Sequence, residues 1–382
     1  MVMNHTIALA SILALLGACA GDSKSSDVGE PPTYDDDDDS AAPDGSDISD
    51  VSEQLETIRQ NYSLPALAGL RLEGDAVTHQ GVTGVRKLGD DTLATVDDKW
   101  HIGSCTKAMT ATLVGIHVDD GLLDWTSTMG ELFPDITAMH DEFREVTIEM
   151  LLSHTSRVND AASNDAYLNT YDSDEGQWRQ NLTHAILQNP PAGTVGASEN
   201  YSNFGYVIAG HALEQLTDSS WESLMQDRLF EPLNMTGCGF GAAAAVGDVS
   251  QPWGHTGLEP SNGDNPAVLG PAGTVHCPLA DWGRFISDQL RAFNGEESIL
   301  SADQAEHMFT VQADNYAMGW IVLDAPAVGG TVFGHTGSNT FSIGDVLAAP
   351  SINRGYLVAT NRAGSMDINA TQQALLALHE ID

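Results

Sequence analysis

Residues 101–107 read His-Ile-Gly-Ser-Cys-Thr-Lys and open an apolar stretch that runs to Asp119. Met109, Leu113, Ile116 and Val118 mark its mostly buried positions, so 103–119 is predicted as a helix. Ser104 and Lys107 stand three apart at its head, which puts both side chains on one face. A hydroxyl at a helix N-terminus lies among free backbone N–H groups, a setting that suits a developing oxyanion. A lysine drawn out of water has a lowered pKa and can take the hydroxyl proton. Of the four lysines, Lys24, Lys87, Lys99 and Lys107, only the last lies beyond residue 100. The same spacing also arises from a surface lysine beside a capping serine, so the pair alone does not decide the matter.

Around this stretch the chain alternates in type. Residues 51–58 have helical spacing, with Leu55 and Ile58 on one face. Segments 67–72 and 77–82, joined through Gly74-Asp75, read as a hairpin. Helices are predicted at 148–154, 201–216, 221–229 and 279–293, with a Gly/Pro/Asn-rich interruption at 237–278. Strands follow at 316–323, 331–334, 340–348 and 355–360, then a helix at 368–379. This order predicts one sheet made from both ends of the chain, with a helical unit inserted. The expected sheet lobe is about 51–102 and 296–382, and the expected helical lobe about 103–295.

Two further stretches carry chemistry. Tyr201-Ser202-Asn203 precedes an apolar helix. A tyrosine beside an ammonium can become a phenolate and shuttle protons, and an Asn amide can bind a carbonyl or the lysine. A packed tyrosine with a helix-capping Ser-Asn accounts for the same residues. His335-Thr336-Gly337-Ser338 ends a predicted strand, where a glycine lets another backbone approach closely. A strand-end turn is the plainer reading. No His-Glu-x-x-His, P-loop or Gly-x-Ser-x-Gly motif is present, and the 13 His show no metal-ligand spacing. No metal and no cofactor are expected.

Taken in order, Ser104-x-x-Lys107, Tyr201-x-Asn203 and His335-Thr336-Gly337 resemble the serine β-lactamase/penicillin-binding superfamily. The resemblance is to its class C-like branch: class C β-lactamases, D-alanyl-D-alanine carboxypeptidases, D-aminopeptidases and family VIII esterases. Leu151-Leu152-Ser153-His154-Thr155-Ser156, Pro191-Ala192-Gly193, Phe230-Glu231-Pro232-Leu233 and Gly319-Trp320 are similar too, from roughly residue 52 to 380. The resemblance implies an α/β (α+β) fold of the β-lactamase/transpeptidase type: a mostly antiparallel sheet flanked by helices, with an inserted all-helical lobe and the site between them. It implies a serine hydrolase working through an acyl-enzyme on small amides or esters. Ser104 is then the nucleophile, and Lys107 and Tyr201 the proton-transfer pair. Asn203, His335, Thr336, Gly337 and Ser338 bind substrate, with the N–H groups of Ser104 and Ser338 as the oxyanion hole. Two residues depart from the family pattern. Arg157 stands where a glycine is usual after His-Thr-Ser, and His335 replaces the lysine of β-lactamases. Carboxypeptidase, esterase and β-lactamase activities stay open, as does a catalytically inert surface lipoprotein that acts as a scaffold or binds cell wall.

The N-terminus reads as an address. Residues 7–18 are apolar and too few to span a bilayer, which fits a signal peptide at 1–18. Leu16-Gly17-Ala18-Cys19 resembles a bacterial lipobox, making Cys19 the expected lipidation site. Residues 19–50, with five consecutive Asp at 35–39, form an expected acidic, extended linker. The expected location is the cell envelope, lipid-anchored, with the outer membrane favoured. Fifteen Lys and Arg against 54 Asp and Glu give a net charge of −39. Such a surface repels nucleic-acid phosphate, and contact with membrane is expected through the lipid alone. The expected partner is a small-molecule or peptide substrate, and the oligomeric state is not legible. Of the four cysteines, Cys19 is assigned to lipid and Cys105 to a buried position. Cys238 and Cys277 are left and are expected to pair, worth roughly 4 kcal/mol in the chain-entropy model.

Overall fold

The computed structural model describes residues 48–160, 163–164 and 177–381. The expected signal peptide, Cys19 and the expected linker up to residue 47 lie outside the described residues.

The first elements form half of the main sheet. Strand β1 (Ser49–Asp50) leads into helix α1 (Ser52–Tyr62), which buries Leu55 and Ile58, one turn apart. Strands β2 (Ala66–Glu73) and β3 (Ala76–Gly84) make the hairpin. A two-residue strand β4 (Trp100–His101) precedes a 3-10 turn over Gly103–Cys105 and helix α2 (Thr106–Asp119). The helical lobe follows with α3 (Ile148–Leu152), α4 (Trp178–Leu187) and α5 (Asn203–Thr217).

The stretch read as loop at 237–278 has structure of its own. Strands β5 (Gly239–Phe240) and β6 (Val275–Cys277) join β4 in a small sheet of order β4-β6-β5. Cys238 and Cys277 are disulfide-bonded there, with Cα atoms 4.1 Å apart. Short strands carry little sequence signal, and this sheet is held by pairings across long separations, such as Trp100 with Cys277.

Helix α6 (Leu279–Phe293) begins the return to the main sheet, followed by α7 (Ala302–Phe309). Strands β7 (Ile321–Ala325), β8 (Gly330–Ser338), β9 (Ile343–Ala349) and β10 (Arg354–Thr360) come next, then α8 (Asp367–Glu380). The seven-stranded order is β1-β3-β2-β10-β9-β8-β7, antiparallel except at β1. The chain's two ends meet where β2 pairs β10, with Leu70 opposite Leu357.

Both faces of this sheet are covered, so its central strands are buried almost throughout. Side chains alternate between the faces. Tyr356 and Val358 join Leu55, Leu375 and Leu378 under α1 and α8. Leu357 and Ala359 join Trp282, Phe285 and Ile286 of α6 in the larger core. Each buried Leu, Val, Ile or Phe among them contributes about 1.5–3 kcal/mol relative to exposure. Helix α6 therefore belongs to the sheet layer, and a helical lobe drawn as 103–295 is too wide. The strand expected at 316–323 begins only at Ile321, because the chain first turns through Gly319 at φ 79°.

Candidate active site

The site lies where β8 meets the turn ahead of α2. Gly103 adopts φ 52°, and a Cβ placed on it would sit 2.2 Å from the Ser338 nitrogen. In return, a Cβ on Gly337 would sit 2.1 Å from the Ile102 carbonyl oxygen and 2.5 Å from the Ser104 nitrogen. Only two glycines permit this seam of backbone against backbone. It sets Ser104 beside the end of β8.

Lys107 follows one turn along α2 and is fully buried. Its Nζ donates to Ser104 Oγ at 3.1 Å, Asn203 Oδ1 at 2.8 Å and the Ala272 carbonyl at 2.7 Å. Three acceptors match the three hydrogens of an ammonium. Burial pulls the group down to about 7, against the opposing pull of Asp160. Near neutral pH a large share of the molecules therefore hold a neutral amine against Ser104.

Tyr201 stands over this pair. Lys107 Nζ is 4.9 Å from the ring centre, and the nearby Ser104 hydroxyl acts to lower the phenol's pKa. Burial raises the phenol well above its ordinary range, more than Ser104 lowers it. Burial thus disfavours the phenolate form.

Asn203 reaches Lys107 because the head of α5 is tied down. Ser202 Oγ caps the helix by accepting from Gly205 N at 3.1 Å, and donates to Asp160 Oδ1 at 2.5 Å. Asn203 N donates to Asp160 Oδ2 at 3.2 Å, and Ser202 N to His154 Nδ1 at 3.2 Å. Burial raises the Asp160 carboxyl above its ordinary value, while these bonds hold it down.

Arg157 occupies a left-handed position, φ 60°. That geometry explains why a glycine suits the place. The turn forms all the same: Thr155 N and Ser156 N both donate to Met150 O at 2.9 Å, and the Arg157 guanidinium bonds Ser198 Oγ.

The four residues of the last stretch divide. Ser338 lines the cleft, and Gly337 forms the seam. His335 and Thr336 are wholly buried beneath it. His335 Nε2 is 3.3 Å from the Tyr316 hydroxyl, and Thr336 Oγ1 donates to Asp345 Oδ1 at 3.0 Å. The structure thus brings Ser104, Lys107, Tyr201, Asn203, Gly337 and Ser338 together. It puts the side chains of His335 and Thr336 outside the cleft.

Two participants were missed from sequence. The Ala272 carbonyl belongs to a strap anchored by Thr110 Oγ1 to Pro271 O at 2.8 Å and Asn265 Nδ2 to Gly273 O at 2.7 Å. Arg179 holds the strap's outer end through Ala267 O at 3.0 Å. A main-chain acceptor has no residue signature. Asp160 is one acid among many, and its only signal was closeness to the His-Thr-Ser-Arg turn.

The cleft over Ser104 measures about 530 Å³, the size class of small-molecule sites. Leu269, Ile343 and Ile368 give it an apolar side, and Asp160, Asn164 and Asn265 a polar one. Among the described residues, no cluster of three His, Cys, Asp or Glu is placed to hold a metal ion.

The family model described as Beta-lactamase matches residues 51–379. Penicillin-binding protein 4 of Amycolatopsis lactamdurans is 29% identical over 307 residues, covering 75% of this chain and 78% of that one. The structure of an octameric penicillin-binding protein homologue from Pyrococcus abyssi superposes with a TM-score of 0.70 at 20% identity, over 86% of this chain and 77% of that one. A D-stereospecific amidohydrolase from Streptomyces sp. gives a TM-score of 0.66 at 21% identity, over 83% and 97%. At those identities the two structures share the fold.

Proposed function

This chain belongs to the beta-lactamase family, and from that premise we propose that it is a serine hydrolase that cleaves small amides or esters through an acyl-enzyme on Ser104. The observation that carries the reading is the fully buried Lys107 amine, 3.1 Å from Ser104 Oγ and fixed by Asn203 and the Ala272 carbonyl. Burying an amine is costly, and folding gains nothing obvious from it.

The steps follow from the geometry. Neutral Lys107 takes the Ser104 proton as Oγ bonds to the substrate carbonyl carbon. The carbonyl electrons move to oxygen, which faces the N–H groups of Ser104 and Ser338 across the glycine seam. The bond to the leaving nitrogen or oxygen then breaks, and the proton on Lys107 passes to that atom with the Tyr201 hydroxyl as relay. A water repeats the sequence on the ester: its proton goes to Lys107, and from there to Ser104 Oγ as the acyl bond breaks, which releases the acid and restores the hydroxyl and the neutral amine. The named relatives, a penicillin-binding protein and an amidohydrolase, support amide substrates. The Cys238–Cys277 bond supports action outside the reducing cytoplasm.

Intact-mass spectrometry with a fluorophosphonate probe tests the reading. Wild type should gain one label and Ser104→Ala none. Equal labelling of both would remove Ser104 as the nucleophile. In a parallel sample, a penicillin adduct on the wild type alone would mark slow deacylation of a β-lactam.

A further inference from the structure

The cleft is built around acceptors, and among the described residues no Lys or Arg lines it. Lys107, buried behind the nucleophile, is bound to three acceptors, and among the described residues no other Lys or Arg bonds Ser104. Ten of the eleven arginines pair with carboxylates elsewhere; the eleventh, Arg157, bonds Ser198. Lys87 lies over the Trp253 ring, away from the cleft. The sequence from residue 158 to 178 holds five acids and no Lys or Arg, so it adds no cation either.

Asp160 is the charged side chain on the opposite account. It lines the cleft and is only part-buried. Its oxygens accept from Ser202 Oγ and from the Asn203 and Phe204 nitrogens. A carboxylate has about four acceptor sites, which leaves capacity for one more donor. It is also close to the chemistry: Asp160 bonds Asn203, whose amide bonds Lys107, which bonds Ser104.

We infer that the cleft selects substrates carrying a free ammonium group near the scissile carbonyl, with Asp160 as its counter-charge, and disfavours substrates carrying a free carboxylate. This rests on the hydrolase reading above and narrows it to amides or esters of amino acids or of peptides with an unblocked amino end. A carboxylate brought into the cleft meets Asp160 with no unspent cation to offset it. An ammonium there gains a charge-assisted hydrogen bond. The tendency of Lys107 to lose its proton on burial sharpens the contrast, since a neutral lysine does not repel the incoming ammonium.

The test uses the full chain and three p-nitroanilides of D-alanine: free amine, N-acetyl and N-succinyl. They share one leaving group. The expected order of kcat/KM is free amine, then acetyl, then succinyl, with at least tenfold between first and last. In Asp160→Asn the free-amine to acetyl ratio should fall toward one. Any harm to the Ser202–Asn203 turn slows both substrates and cancels in that ratio. A wild-type ratio at or below one, or a ratio untouched by Asp160→Asn, overturns the inference. Fluorophosphonate labelling of Ser104 in the same samples separates the two readings. Label with no preference for the amine defeats only the ammonium site. If neither label nor turnover occurs, the hydrolase reading fails, and calorimetry with D-alanine amide and its N-acetyl form decides the ammonium site. Tighter binding of the free amine then supports it, and equal or weaker binding overturns it.

Discussion

The two walls of the cleft are held by different physics. The sheet wall is β8, fixed by its ladder to β9, with His335 opposite Val346 and Gly337 opposite Gly344, and by the glycine seam against Ser104. Nothing there depends on a side-chain rotamer. The helical wall, from Ser153 to Asp160 and from Tyr201 to Asn203, adds side-chain bonds to its main-chain turns: Ser202 to Asp160, Ser202 to His154, Arg157 to Ser198. Each such bond is worth about 1 kcal/mol net. The comparison teaches where the site can vary. The helical wall can change one bond at a time, whereas the sheet wall either fits the nucleophile turn or does not.

The largest expected effect is on the sheet wall. In Gly337→Ala the new methyl must displace the Ile102 carbonyl and the Ser104 nitrogen, 2.1 and 2.5 Å away. Acylation by fluorophosphonate should fall at least ~100-fold. Stability measured by urea unfolding should fall by about 1–3 kcal/mol or more. Near-normal acylation in this variant would mean that the walls are not so different.

A pH series sharpens the contrast, because each wall adjoins a buried group titrating near 7. Burial pushes Asp345, behind the sheet wall, up to about 7, and pulls Lys107 down to about 7. For Asp345 the native state holds the extra proton between its ordinary value of 3.8 and about 7, so its contribution to stability falls as pH rises through that window. For Lys107 the unfolded chain holds the extra proton between about 7 and its ordinary value of 10.5, so stability recovers as pH rises there. Together these groups should produce a dip in unfolding free energy near pH 7. Asp345→Asn should flatten its acid limb. Only Lys107 touches the nucleophile, so the acylation rate should rise with pH through about 7 in the wild type and keep that shape in Asp345→Asn.

The smallest effect is expected at Arg157. A left-handed position costs a non-glycine residue about 1 kcal/mol. Arg157→Gly relieves that and gives up the bond to Ser198. The melting temperature should rise by no more than about 2 °C. Acylation should stay within about twofold if the helical wall is held bond by bond. A tenfold loss would show that Arg157 does more than complete its turn.

How far sequence alone reached follows the same division. Ser104 and Lys107 were legible because helical spacing is local. Six of the sheet's seven strands were legible because they are bounded runs and the order of element types limits how they can pair; β1 was not, since Ser49 and Asp50 close the acidic stretch read as linker. The burial of His335 and Thr336 was not legible. A strand covered on both faces shows no polar alternation to tell cleft from interior. The strap that offers the Ala272 carbonyl was also hidden, since its role lies in a main-chain atom placed by Thr110, Asn265 and Arg179 from three separate parts of the chain. Asp160 lies 42 residues before the serine it binds, with no pattern joining them.

The seam between Gly103 and Gly337 has a consequence of tolerance. Side chains hop between rotamers, so a distance that runs through them is an average over populations. The interval from the Ser104 turn to Ser338 runs through main chain alone, and bond lengths and ladder spacing set it. It works as a machinist's datum, the one surface from which other dimensions are measured. The rest of the cleft can be recut to suit a new substrate without the attacking oxygen losing its reference.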